Sequence, residues 1–523
     1  MDYRDVLLEQ DFGTINQLIS AHARQRPLHP ALICGAAQIN YRAFDQQIQQ
    51  VAAALQRDGA GPGSVVAICG AASIEYALAF LGALRAGAAV APVAPSSSRE
   101  SLAAMLIDSG ALIAFVDAAT AETLTTGDTN TALSSIQTVC FDDPAAGVPF
   151  RAWLAPQQAA LTDVTIQPDD PFNIIYSSGT TGTPKGIVQP HAMRWAQFKR
   201  IRYEADAVTV VSTPLYSNTT LVCFLPTLAA GATVVLMPKF EATVFLQLSA
   251  QYRATHTMLV PVQYRRLMTH PSFDDFDLSS YRIKYATSAP FAADLKRQVL
   301  ARWPGGLVEL YGMTEGGGSC MLEAHRYLDK LHTVGKPMDS NDIRIVDEYG
   351  VERGIGEAGE VVGRSASMMV GYHNLPEKTR EAEWFSPDGL RFIRTGDIGR
   401  FDTDGFLVLI DRAKDMIISG GFNIYPSDIE AVLAAHPGVE ECAVVGIASE
   451  KWGESPVAFV TLREGVSVEA QTLKAFVNER VGRTQRLTDL SLIDVLPRSA
   501  IGKVLKRDLR RIYEESRGGV TAV

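Results

Sequence analysis

Short apolar runs of strand length recur along the chain and alternate with longer segments of helical pattern. VVAIC at 65–69, AVTVVSTP at 207–214 and ATVVLM at 232–237 are of the first kind, and the stretch around Ala292 to Trp303 is of the second. Strands separated by helices are joined by crossovers that return the next strand parallel to the last, so the alternation restricts the fold to an α/β protein with mainly parallel sheets. No fixed-period repeat underlies it. With 523 residues, 47% of them hydrophobic, the chain exceeds what one core organises, and two or more domains are expected.

The most apolar stretch, from Tyr76 to Pro95, is interrupted by Gly82, Arg85, Gly87, Pro92 and Pro95. It falls short of a clean span of about 20 apolar residues and reads as a buried helix leading through Gly87 into a strand that ends at Pro92. Near residue 400 the texture changes. Asp404-Gly405 lies between two strand-like runs and reads as a hairpin turn. Ser427 with Glu430 three residues on has the form of a capping box, Ile429, Val432 and Leu433 make one apolar helical stripe, and Pro437-Gly438 ends it. Strands at 443–448 and 457–462 and a helix near 470–481 complete a small α+β domain of ordinary size. The expected boundary lies near Arg412 to Asp415, dividing the chain into 1–413 and 414–523.

The 48 basic and 58 acidic residues leave a net charge of −10, which disfavours nucleic acid as a partner, because binding a phosphate backbone needs basic surface. The cysteines at 34, 69, 140, 223, 320 and 442 form no CxxC pair, so neither a zinc site nor a disulfide framework is indicated, and a reducing, cytoplasmic setting is expected. The N-terminus lacks the basic, apolar and small-residue order of a signal peptide. No membrane segment is expected.

The segment YSSGTTGTPKG, 176–186, gathers glycines, hydroxyls and one lysine. Glycines let backbone N–H groups converge on one point and hydroxyls add donors without bulk, which makes a nest for phosphate oxygens; Lys185 adds positive charge. A Walker loop would need glycine directly before the lysine and Ser or Thr after it, whereas Pro184 and Gly186 flank Lys185 here. By composition alone a flexible linker is the favoured reading.

The order of residues resembles the phosphate loop of the adenylate-forming superfamily, which includes acyl-CoA synthetases, aryl-CoA ligases, luciferases and peptide-synthetase adenylation domains. The resemblance continues through YGMTE at 311–315, RTGD at 394–397, IDRAKDMI at 410–417, SGGFNIYPSDIE at 419–430 and PRSAIGKVLKRDLR at 497–510. It implies a large N-terminal domain of mixed sheets flanked by helices and a small mobile C-terminal lid. It also implies activation of a carboxylic acid by ATP and Mg²⁺, with transfer to CoA; a homodimer is compatible with it. The reaction must hold a polyphosphate, a metal, a ribose and a carboxylate together.

On that resemblance Ser177, Ser178, Gly179, Thr180, Thr181, Gly182 and Thr183 cradle the β- and γ-phosphates with Lys185. Ser288, Ala289 and Pro290, with Tyr311, Gly312 and Met313, border the nucleotide, and Tyr311 lies against the adenine. Thr314 is implied on the α-phosphate and Glu315 on Mg²⁺, an ion that takes hard oxygen ligands and retains waters. Asp397 and Arg412 are implied at the ribose. Lys503 is implied as the catalytic lysine that stabilises charge developing at the α-phosphate and attacking carboxylate. Lys414 falls at the hinge, and Gly420 and Gly421 at the pantetheine channel, although a glycine pair also serves backbone geometry alone.

In TPLYSNTT, 213–220, many relatives of this kind carry histidine after the aromatic residue; here Ser217 follows Tyr216. With Asn218, Ser288, Gly316, Gly317 and Gly318 these residues are implied to line the acyl pocket. The three glycines either deepen that pocket or serve a turn. None of the segments carries Arg or Lys to pair a second carboxylate, which favours an aromatic or medium-length apolar acid over a diacid.

Overall fold

The computed structural model of the protein describes residues 3–125, 133–143, 145–177, 185–200, 203–412, 415–419, 422–449, 452–499 and 503–518. They form two compact units, Met1–Ile343 with Gly363–Ile393, and Arg344–Val362 with Arg394–Val523.

The first unit is built on two large sheets. In one, the order is Lys336–Pro337, Cys320–Glu323, Gly306–Tyr311, Ile283–Ala286, His256–Leu259, Val208–Val211, Thr233–Leu236, Pro30–Cys34, Ala37–Asn40. The run from Gly306–Tyr311 to Pro30–Cys34 is parallel throughout, as the alternation of strands and helices requires. The other sheet runs Gly371–Tyr372, Lys185–Pro190, Pro171–Ser177, Ala89–Val93, Val65–Cys69, Ala111–Val116, Gln137–Cys140, Val148–Pro149. Antiparallel pairing is confined here to the first three of these strands.

The apolar stretch after Tyr76 is an interior helix. Ser73 caps it by accepting from the Tyr76 amide at 3.0 Å, the helix runs Ile74–Ala86, and Gly87 in the left-handed region (φ 88°) ends it before the strand Ala89–Val93. It packs so closely on the helix Tyr41–Arg57 that a Cβ on Gly82 would stand 2.3 Å from Val51 Cγ1. Fully burying each of its large apolar side chains stabilises by about 1.5–3 kcal/mol, which explains its hydropathy without a membrane. Among the described residues no helix is long and apolar enough to cross one.

In the second unit the strands Val439–Ser449 and Gly453–Leu462 form a long antiparallel pair, with Asp489–Leu492 added parallel to the latter. Alternation along the strands sends Val444, Ala458 and Val460 to one face, under the helices Pro426–Ala434 and Ala470–Asn478. Ala443, Val445, Val457 and Phe459 go to the other, where Leu509 and Tyr513 of Lys506–Gly518 cover them. Asp404-Gly405 sits in the turn between Arg391–Phe401 and Leu407–Arg412, as its sequence predicts. The capping box does not form. Pro426 occupies the first helical turn, which moves Ser427 inside the helix; its hydroxyl donates to the Ile410 carbonyl at 2.6 Å, and Glu430 instead accepts from the Val444 amide at 2.8 Å.

Candidate active site

Three of the segments singled out in the sequence leave the same end of the parallel sheet. Residues 212–218 follow Val208–Val211, residues 287–290 follow Ile283–Ala286, and residues 312–318 follow Gly306–Tyr311. In open α/β sheets the crevice outside the carboxyl ends of the strands is where ligands bind.

The segment 311–318 is fixed from several sides. Tyr311 closes its strand opposite Cys320, and the Gln189 amide donates to the Thr314 carbonyl at 2.6 Å. The Met369 amide donates to the Glu315 carbonyl at 2.8 Å, and Tyr372 Oη donates to Glu315 Oε1 at 2.9 Å. The Lys185 ammonium stands 5.3 Å from the centre of the Tyr372 ring. This group converges because Gly371–Tyr372 pairs with Lys185–Pro190, so that Lys185 and the tyrosine facing Glu315 lie on neighbouring strands. Burial, and then the adjacent Glu315 carboxylate, push the Tyr372 phenol far above its ordinary range, so it remains a donor. Glu315 keeps a second carboxylate oxygen, a hard donor suited to Mg²⁺, and Lys185 lies within the same cluster. Tyr372→Phe removes a hydrogen bond to a charged acceptor worth about 1.5–3 kcal/mol. If Glu315 serves ATP as the family resemblance implies, the expected result is a KM for ATP raised about tenfold or more, with an unchanged KM for the acid, measured by ATP–pyrophosphate exchange.

The glycines after Glu315 serve the backbone. Gly316, Gly317 and Gly318 have φ of 79°, 80° and 96°, and a Cβ on Gly316 would fall 1.8 Å from the Ser367 carbonyl oxygen. The turn alone accounts for all three. Ser288 shares this left-handed conformation without being a glycine, with φ of 79°. Such a conformation costs on the order of 1–3 kcal/mol, and here it brings the Ser288 hydroxyl into a hydrogen bond with that of Thr219. Ser217 caps the helix Asn218–Ala229 by accepting from the Thr219 amide at 3.3 Å.

In the second unit Asp397 and Arg412 stand opposite each other in register, and Arg412 Nε meets Asp397 Oδ1 at 2.7 Å. Asp397 is 8% exposed, and the pairing keeps its carboxylate in place. Around Lys503, the Ser499 amide donates to the Lys503 carbonyl at 2.8 Å while the Lys503 amide donates to Ser499 Oγ at 3.2 Å. Arg498 bridges Val504 beyond it, so that Lys503 and Val504 are paired with Ser499 and Arg498. Ser178 to Thr183, Lys414, Gly420 and Gly421, and the side chain of Ser177, lie outside the described residues.

Sequence reasoning missed Tyr372, Gln189 and Arg194. Arg194 is 1% exposed, and Gln189 and Asn173 are fully buried beside it. A detectable signal existed: Asn173 and Gln189 are polar residues inside apolar strands, and His191, Arg194 and Gln197 recur at helical spacing on one buried face.

The first unit is thus an open α/β protein with its functional segments at the carboxyl ends of parallel strands. Residues 19–373 match the AMP-binding enzyme family and residues 428–503 the AMP-binding enzyme C-terminal domain, so the chain belongs to the AMP-binding enzymes, within their AMP-forming acid–thiol ligases. A feruloyl-CoA synthase of Amycolatopsis sp is 32% identical over 94% of this chain and 97% of its own length. The fatty acid–[acyl-carrier-protein] ligase ScoC of Streptomyces coeruleorubidus is 30% identical over 97% of this chain and 98% of its own. The crystal structure of ATP-bound MatB from Rhodopseudomonas palustris superposes with a TM-score of 0.84 at 27% identity, covering 96% of this chain and 100% of that one.

Proposed function

We propose that the protein is an ATP-dependent carboxylic acid–CoA ligase that works through an acyl-adenylate. The observation that carries the reading is the cluster of Lys185, Tyr372 and Glu315 beside Thr314, outside the ends of the parallel strands. A cation, a hard carboxylate oxygen and a hydroxyl there suit the triphosphate of ATP. The carboxylate of the acid attacks the α-phosphorus, the α–β phosphoanhydride bond breaks and pyrophosphate leaves with the bonding electron pair. The thiol of CoA then attacks the acyl carbonyl, loses its proton, and AMP departs.

In this reading the 177–183 loop and Lys185 hold the β- and γ-phosphates, Tyr311 packs on the adenine, and Asp397, steadied by Arg412, accepts from the ribose hydroxyls. Lys503 stabilises charge at the α-phosphate. Glu315 would hold Mg²⁺, which would supply charge neutralisation to the polyphosphate. Residues 414–523 act as the mobile lid, turning at Lys414 so that Gly420 and Gly421 flank the pantetheine arm in the second half-reaction. Tyr216, Ser217, Asn218 and Ser288 border the acyl group, whose class is aromatic or apolar and of medium to long chain.

The similarity to ScoC favours one second reading, in which the acceptor is the pantetheine of a carrier protein. A panel of aromatic, aliphatic and dicarboxylic acids incubated with ATP and Mg²⁺ tests the first step by pyrophosphate release. Adding free CoA to the active acids separates the acceptors. Release with an aryl or alkyl acid, followed by thioester formation on CoA, is expected. Release only with a diacid overturns the acyl class, and acyl-adenylate that persists in the presence of CoA overturns the acceptor.

A further inference from the structure

Arg194 is a buried cation ringed by neutral amides. Its guanidinium donates to Asn218 Oδ1 at 2.8 Å, Gln197 Oε1 at 3.2 Å, Asn173 Oδ1 at 3.4 Å and, more closely, Gln189 Oε1. The Phe172 ring lies 5.5 Å away. Its Nε has no hydrogen-bond partner among the described residues, and no ion pair neutralises it there. Burial pushes its pKa down, but a guanidinium stays charged at neutral pH. A charge kept in the interior without a carboxylate is costly, and a role in the site explains its retention better than stability does.

A guanidinium has donors only, so each surrounding amide must turn its oxygen inward and its NH₂ outward. For Gln197 the outward NH₂ reaches the Val222 carbonyl at 3.1 Å. For Gln189 it reaches the Thr314 carbonyl at 2.6 Å. The cation and the Thr314 carbonyl fix the same polarity of Gln189, and losing the cation removes the contact that holds its oxygen end in place. Asn218 is held by the same guanidinium, so one side chain braces both the 312–318 and the 216–218 segments.

We propose that Arg194 is a positioning residue for adenylation, acting through the amide of Gln189 on Thr314 and through Asn218 on the acyl side. The inference rests on the proposed role of Thr314 at the α-phosphate of ATP.

Gln189→Glu tests it most directly. The carboxylate would pair with Arg194 and neutralise the buried charge, while taking away the donor to Thr314. The relay therefore predicts a melting temperature at or above wild type together with a drop of at least about tenfold in kcat/KM for ATP, by ATP–pyrophosphate exchange with the best acid of the panel. A purely structural role predicts the reverse pairing, activity following stability. Wild-type exchange kinetics in Gln189→Glu overturn the proposal. Should that variant melt early, Arg194→Lys decides: a single ammonium cannot orient all four amides, so an unchanged KM for ATP in a stably folded Arg194→Lys overturns it and a raised one supports it. If the wild-type protein exchanges no label with any acid, the adenylating reading falls and this inference with it. Activity in the wild type confines the variants to testing the relay alone.

Discussion

Lys503→Ala is expected to lose about 10²- to 10³-fold in adenylation rate, the loss that accompanies removal of one preorganised donor to a developing oxyanion. The lysine is held through its backbone by two hydrogen bonds with Ser499, so the backbone that presents it does not depend on its side chain. The fold should therefore survive the substitution. Thiolysis of a chemically prepared acyl-adenylate by CoA does not pass through charge at the attacking carboxylate, and its rate should stay within a few-fold of wild type. Measuring both half-reactions on one preparation makes the test self-controlled. Equal losses in the two would assign Lys503 to folding or to general binding of the nucleotide.

Lys296→Met is expected to be the most destabilising single change described for this chain, by roughly 3–5 kcal/mol, the cost of leaving one partner of a buried ion pair alone. Lys296 and Glu309 are 1% and 6% exposed, and their side chains form an ion pair. The ammonium also donates to the carbonyls of Leu331 and Thr333 at 2.7 and 3.1 Å. Burial already raises Glu309 to about 7, against the opposing pull of Lys296. Without the lysine it would rise further, so the folded variant would retain a proton that the unfolded chain releases above its ordinary carboxylate pKa. Protons bound to the native state exceed those bound to the unfolded one in that window, and stability therefore falls as pH increases. Chemical denaturation at pH 5 and pH 8 should show a larger deficit at the higher pH. A deficit independent of pH would mean that Glu309 stays ionised without its partner. Because Glu309 lies in the strand that ends at Tyr311, activity should decline together with stability.

The hairpin at Asp404-Gly405 was legible in the sequence because its chemistry is local, whereas Asp397 and Arg412 were singled out only through the family resemblance and their pairing across that hairpin was not foreseen. The parallel sheets were equally readable, since the alternation of short apolar runs with helical segments admits little else. Contacts made across the fold were not. Tyr372 meets Glu315 only because a two-residue strand pairs with Lys185–Pro190, and nothing in GYHN predicts that pairing. Arg194, in HAMRWAQFKR, reads as one more charged residue of a surface helix until Asn173 and Gln189 are seen to face it. The capping motif failed for a related reason: Pro426 shifted the start of the helix by a turn residue, and the serine found a carbonyl in a neighbouring strand instead.

The glycine run after Glu315 ties the turn to the segment that lies across from it. A substituent on Gly316 would collide with the main chain at Ser367 and Met368 rather than project into space, so no larger residue can stand at that position unless a second stretch of backbone moves with it.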